Sequence, residues 1–238
     1  MKQIQQTEES MEEFEKEVSM LDKFRNEYIV HFYGAVFITT KVCMVTEFAP
    51  FGSLIDLMKK RNNKPLPEKV RIKILIDCSK GIEYLHNNGI LHRDIKPDNF
   101  LLFNIKDIDQ SIVNAKLTDF GSSRNINMMM TNMTFTKGIG SPTYMSPEVL
   151  NKEHYKKPSD IYSFAITMYE VMIWEEAYPM KKFEYPWNIA SFVQSGKRLS
   201  LEYISNETIK ETISNSWNQD PKERYTIEKI KSNLETLQ

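Results

Sequence analysis

Apolar positions along the chain recur with two different periods, and those periods sort it into helices and strands. Phe14, Val18 and Leu21 fall at helical spacing within residues 8–24, opposite Glu12, Glu13, Glu15, Lys16 and Glu17, which predicts an amphipathic helix capped at Thr7 or Ser10. Residues 29–37 and 42–48 are apolar runs joined by the polar Thr39-Thr40-Lys41, predicting two strands, and Pro50 and Gly52 end the second. From Leu54 the period becomes helical. Residues 54–60 form one amphipathic segment, and residues 67–87 a longer one whose stripe of Val70, Ile74, Leu75, Cys78, Ile82 and Leu85 reads as core. Asn87-Asn88-Gly89 is a left-handed stop for that helix. Asp160 opens an almost wholly apolar helix through residue 172, which must be buried, and Ile227, Ile230, Leu234 and Leu237 mark a closing helix.

At 238 residues the chain can bury a sizeable core, as one large domain or two lobes. A formal net charge of -1 gives no whole-chain attraction to nucleic acid or anionic lipid, and Lys59-Lys60-Arg61 reads as a solvated helix end. The two cysteines, Cys43 and Cys78, each lie in apolar surroundings and read as buried thiols rather than a disulfide or metal pair. No apolar run approaches the roughly 20 residues that span a bilayer, and nothing at the start has the pattern of a signal peptide. A reducing, cytoplasmic compartment is the expectation.

Chemistry concentrates between Ile90 and Leu102, where two short apolar segments bracket His92-Arg93-Asp94-Ile95-Lys96-Pro97-Asp98-Asn99. Asp94 can accept a proton from a hydroxyl, Lys96 can neutralise phosphate oxygens, and Asn99 can hold a hard cation. Further on, Lys116-Leu117-Thr118 alternates as a strand and ends in Asp119-Phe120-Gly121, whose acid suits a divalent ion bridging nucleotide phosphates. A third element reads Gly140-Ser141-Pro142-Thr143-Tyr144-Met145-Ser146-Pro147-Glu148. Together these three resemble the signature set of the protein kinase family: catalytic loop, Asp-Phe-Gly, and the Pro-Glu end of an activation segment.

That resemblance implies an α+β, bilobal fold with an incomplete small β lobe (residues 1–49, ending in the hinge) and a mainly helical large lobe (residues 50–238). No Gly-rich phosphate loop is built by the eight glycines, so the expectation is a kinase domain lacking its first two strands, with Met1 internal. Lys2 and Glu17 then match the family's phosphate-binding lysine and its helix partner. Glu47 and Ala49 would meet the adenine edge through their backbones, with Thr46 behind and Leu101 beneath. Asn99 and Asp119 would hold Mg²⁺, and Asp94, Lys96 and Ser141 would serve transfer from ATP to a protein hydroxyl. Residues 122–137 resemble an activation segment, with Ser122, Ser123, Thr131, Thr134 and Thr136 as candidate acceptors from an upstream kinase and Arg93 as partner for the phosphate. Asp160 would hold the catalytic-loop backbone, and Arg224 would pair with Glu148.

Lys96-Pro97 and Gly140-Ser141-Pro142 resemble serine/threonine kinases, whereas the helix around Glu17, the hinge and the segment from Asp160 resemble the tyrosine-kinase-like branch. Serine/threonine transfer is the reading adopted. A silent scaffold, suggested by the missing Gly-rich loop, and tyrosine or dual-specificity transfer are its rivals.

Overall fold

The computed structural model describes residues 3–4, 15, 18–19, 21–38, 41–61, 64–105, 114–125 and 142–238. Strands β1 (Gln3–Ile4), β2 (Phe32–Ile38) and β3 (Lys41–Thr46) form an antiparallel sheet in the order β1-β3-β2. Phe32 pairs with Thr46 and Gly34 with Val45, across an irregularity in β2. Residues 15, 18–19 and 21–23 are helical and belong to α1. Leu21 is buried there, and Phe24 beyond it meets Phe120 with ring centroids 5.1 Å apart.

The pattern predicts β2 from residue 29, but the strand begins at Phe32. Residues 28–30 are drawn to a different strand: Val30 N–H donates to Leu117 O and Leu117 N–H to Tyr28 O, each at 2.9 Å. The same stretch lies so close to Gly81 that a Cβ there would meet Tyr28 O at 2.9 Å. This crossing fastens the small sheet to the helical body.

That body is built on α2 (Leu54–Lys60), α3 (Glu68–Asn87), α4 (Pro147–Leu150), α5 (Lys157–Ile173), α6 (Pro186–Gln194), α7 (Glu207–Ser216) and α8 (Ile227–Glu235). Ser53 and Asp56 close a reciprocal capping box on α2, each side chain accepting the other's backbone N–H. Helix α3 buries its predicted stripe and stops at Gly89, whose φ of 70° is the left-handed conformation that glycine adopts without strain. Helix α5 is buried on nearly all sides, as its composition requires. It starts at Lys157, ahead of Asp160, because Pro158 is tolerated in a first turn.

Two small antiparallel ribbons sit on this body: β4 (Ile90–Leu91) with β7 (Arg124–Asn125), and β5 (Phe100–Leu102) with β6 (Ala115–Leu117). Buried Asp77 of α3 holds the second in place, taking Lys73 Nζ at 2.6 Å and the Asn114 N–H at 2.8 Å. Glu148 and Arg224 form the expected pair, two parallel bonds at 2.7 and 2.8 Å. The α+β class and the mainly helical large part agree with the sequence reading. Cys43 and Cys78 are free and buried, and among the described residues no helix is long and apolar enough to cross a membrane.

Candidate active site

The loop from β4 to β5 is fixed from below by Asp160. Its Oδ2 accepts the His92 N–H at 3.0 Å and its Oδ1 accepts the Arg93 N–H at 2.9 Å. His86 Nε2 lies 3.0 Å from Oδ2, and Tyr155 donates to Oδ1 at 2.7 Å. Burial acts to raise the Asp160 pKa, but the bonds and charges of His86 and His92 outweigh it and hold the carboxyl below its ordinary value. The anchor is therefore anionic. Arg93, at φ 71°, takes a left-handed conformation that a non-glycine residue keeps only when its surroundings enforce it.

Asp94 follows directly. Lys96 Nζ approaches its Oδ2 at 2.8 Å, and Asn99 Nδ2 donates to the same oxygen at 3.0 Å and to the Asp94 carbonyl at 2.7 Å. Among the described residues the carboxylate is thus oriented through one oxygen, leaving Oδ1 for an incoming donor. The Asn99 amide has its nitrogen turned to Asp94, so its Oδ1 is the end available to a cation.

The second acid is brought to the same place by backbone. Thr118 N–H donates to Asn99 O at 2.9 Å, and Thr118 O lies 2.9 Å from His92 Nε2. Asp119 is the next residue, at φ 61°. His92, fully buried, also meets the Phe120 ring with centroids 5.3 Å apart. Asp94, Asn99 and Asp119 therefore belong to one knot of backbone.

At the end of β3, Thr46 is half-buried and pairs with Phe32. Glu47 N–H donates to His31 O at 2.9 Å, and Ala49 O accepts from Gly52 N–H at 3.2 Å. What remains toward a ligand is an acceptor, Glu47 C=O, and a donor, Ala49 N–H, neither bonded among the described residues. The Glu47 carboxylate is anchored separately, with both oxygens 2.8 Å from Lys116 Nζ. Leu101 is joined to the residues that follow, bridging to Ser53, while the next N–H, of Leu102, donates to Gly52 O at 2.9 Å.

Comparison with known proteins agrees with this geometry. A family model described as protein tyrosine and serine/threonine kinase matches residues 1–234. The chain belongs to the protein kinase family. It is 34% identical over 234 residues to the probable serine/threonine-protein kinase gdt9 of Dictyostelium discoideum, covering 87% of this chain and 14% of that protein. It is 31% identical over 230 residues to the serine/threonine-protein kinase STY17 of Arabidopsis thaliana, covering 96% and 38%. A dual specificity protein kinase, shkB of Dictyostelium discoideum, is 31% identical over 244 residues, covering 100% and 36%. The kinase chain thus spans well under two thirds of these relatives' lengths.

Of the kinase residues expected from sequence, Lys2, Glu17 and Ser141 lie outside the described residues, as do Thr131, Thr134 and Thr136. Ser123 needs correction as a phosphate acceptor. It is 3% exposed and donates to the His92 carbonyl at 3.3 Å, so it serves the loop rather than a neighbouring enzyme. The reading of the sequence assigned no role to His86, His92, Lys116 or Tyr155. His86, His92 and Lys116 act across 74, 26 and 69 residues of chain, and Tyr155, five residues from Asp160, meets Arg93 from a distant segment.

Among the described residues no three His, Cys, Asp or Glu side chains form a metal cage. An amide oxygen and one carboxylate nonetheless suit Mg²⁺, which takes one or two protein oxygens and completes its shell with phosphate and water. The donor set fits.

Proposed function

We propose that this kinase chain transfers the γ-phosphoryl group of ATP to serine or threonine hydroxyls of protein substrates. The observation that carries this is the one-sided grip on Asp94, whose Oδ2 is held by Lys96 and Asn99 while, among the described residues, Oδ1 is left to a substrate. A hydroxyl bonded to Oδ1 is aimed for attack and can lose its proton there, a role worth about 10²–10⁴-fold in rate. Lys96 stands beside that hydroxyl and stabilises charge on the phosphoryl oxygens. Glu47 C=O and Ala49 N–H fit the acceptor–donor edge of adenine, with Thr46 behind the ring and Leu101 beneath it. Asn99 Oδ1 and Asp119 would hold Mg²⁺, which when bound neutralises charge on the phosphates. Lys2, paired with Glu17, would reach the α- and β-phosphates, and Ser141 would bond Asp94 and Lys96. The buried thiols fit work in a reducing cytoplasm, with an upstream kinase acting on residues 122–137.

Serine/threonine preference is supported by the names of the relatives and by Lys96-Pro97. The relative named as a dual specificity kinase keeps tyrosine transfer as a second reading. Incubation with radiolabelled ATP–Mg²⁺ and a mixed Ser, Thr and Tyr peptide library, followed by phosphoamino-acid analysis, separates them. Label on Ser and Thr is expected. Label on Tyr as well selects dual specificity, and a folded chain that neither transfers phosphate nor is stabilised by ATP–Mg²⁺ selects the silent scaffold.

A further inference from the structure

We propose that Tyr155 is a positioning residue for phosphoryl transfer, holding both the Asp160 carboxylate and the Arg93 side chain that set the path of the catalytic loop. The proposal rests on the phosphoryl-transfer reading above.

Four donors converge on Asp160, two to each oxygen, and they come from different parts of the chain. His86 of α3 and the His92 N–H share Oδ2, while the Arg93 N–H and the Tyr155 hydroxyl share Oδ1. Of these four donors, Tyr155 is the one from the segment between α4 and α5, which follows the Pro147–Glu148 element.

Tyr155 touches the loop a second time. The Arg93 guanidinium lies over its ring, 5.9 Å from the centroid, within the range of a cation–π contact. Backbone and side chain of Arg93 therefore both contact the Tyr155–Asp160 unit. Arg93 is also at positive φ, where the backbone is held against its own preference and relaxes when its restraints are removed. Because Asp94 is the next residue, any such relaxation swings its carboxylate. The hydroxyl is a dependable donor, since burial and the adjoining Asp160 charge push its pKa well above the ordinary tyrosine value.

Tyr155→Phe deletes the bond to Asp160 and keeps the ring under Arg93, whereas Tyr155→Leu deletes both. Tyr169→Phe is the control, because Tyr169 lies on α5 and its hydroxyl donates to Ser200 O at 3.1 Å, away from Asp160. Two quantities are read: amide hydrogen exchange at His92 and Arg93, and kcat and KM for ATP. Loss of one bond to a charged group should speed exchange at these two amides about ten-fold in Tyr155→Phe and lower kcat about ten-fold at unchanged KM. Tyr155→Leu should be worse on both counts, and Tyr169→Phe should change neither. Wild-type exchange and kcat in Tyr155→Phe overturn the proposal. So do losses that appear equally in Tyr169→Phe and follow the melting temperature, which make Tyr155 ordinary packing. If the wild type itself transfers no phosphate, the transfer reading falls alone. Exchange then decides: acceleration supports Tyr155 as the holder of the loop, and its absence overturns it.

Discussion

Replacing Arg224 by Met removes the cation from a pair that has almost no contact with water. The Arg224 and Glu148 side chains are 0% and 8% exposed, so solvent screening does little for either. Besides its two bonds to Glu148, Arg224 donates to Pro158 O at 2.7 Å and Asn218 O at 2.9 Å. The substitution leaves Glu148 accepting from Ser159 at 2.8 Å and frees two carbonyls. Breaking a buried pair from one side costs about 3–5 kcal/mol, against roughly 5–15 kcal/mol for a whole domain. For a chain of this size that is roughly 6–20 °C in melting temperature.

The pH dependence has a definite sign. Burial acts to raise the Glu148 pKa, but the Arg224 bonds outweigh it and hold the carboxyl below its ordinary value. The wild-type pair therefore contributes fully above the unfolded-state pKa and is lost as pH falls through the lowered folded value. In Arg224→Met the charge and bonds of Arg224 are gone and burial is opposed by hydrogen bonds alone, so the orphaned carboxyl takes up a proton more readily and the deficit is largest near neutral pH. Urea unfolding at several pH values measures this, and adding Glu148→Gln to Arg224→Met should recover part of the loss. A single variant within about 0.5 kcal/mol of wild type at neutral pH, the ordinary effect of a surface change, would refute the reasoning. So would a deficit that grows on acidification.

Other outcomes follow from the same structure. Buried Glu170 accepts from Tyr144 at 2.8 Å and from the Ala177 N–H at 3.0 Å, and burial pushes its pKa up to about 7. Its contribution is therefore most favourable below its unfolded value and is lost as pH rises through about 7, some 3 kcal/mol in all; Glu170→Gln should flatten that slope in urea unfolding at pH 5.5 and 8. Gly81→Ala forces a methyl against Tyr28 O at 2.9 Å and should cost about 1–3 kcal/mol in thermal unfolding, whereas equal stability would mean the crossing at residues 28–30 yields freely. Lys116→Met leaves the Glu47 carboxylate with the His31 N–H, at 2.7 Å, in place of the ammonium, and should raise KM for ATP about five-fold, read by steady-state kinetics.

What was legible in the sequence was local or carried by motif. The stripe of α3, its stop at Gly89 and the apolar run of α5 follow from periodicity and turn chemistry, and the Glu148–Arg224 pair from the resemblance to kinases. What escaped was decided across long stretches of chain. The start of β2 depends on Val30 finding Leu117, and Ser123 reads as an acceptor until the His92 carbonyl is seen to bury it. The anchoring of Glu47 by Lys116 joins two strands that sequence spacing does not relate. Tyr155 carries no signal at all until Asp160 and Arg93 are placed around it.

The most direct measurement is phosphate transfer by Asp94→Asn compared with wild type, with ATP–Mg²⁺ thermal shift recorded on both. The account expects an unchanged thermal shift and a rate lower by about 10²–10⁴-fold in the variant, because Asn at this position still orients but cannot take the hydroxyl proton. Equal rates in the two proteins would contradict it.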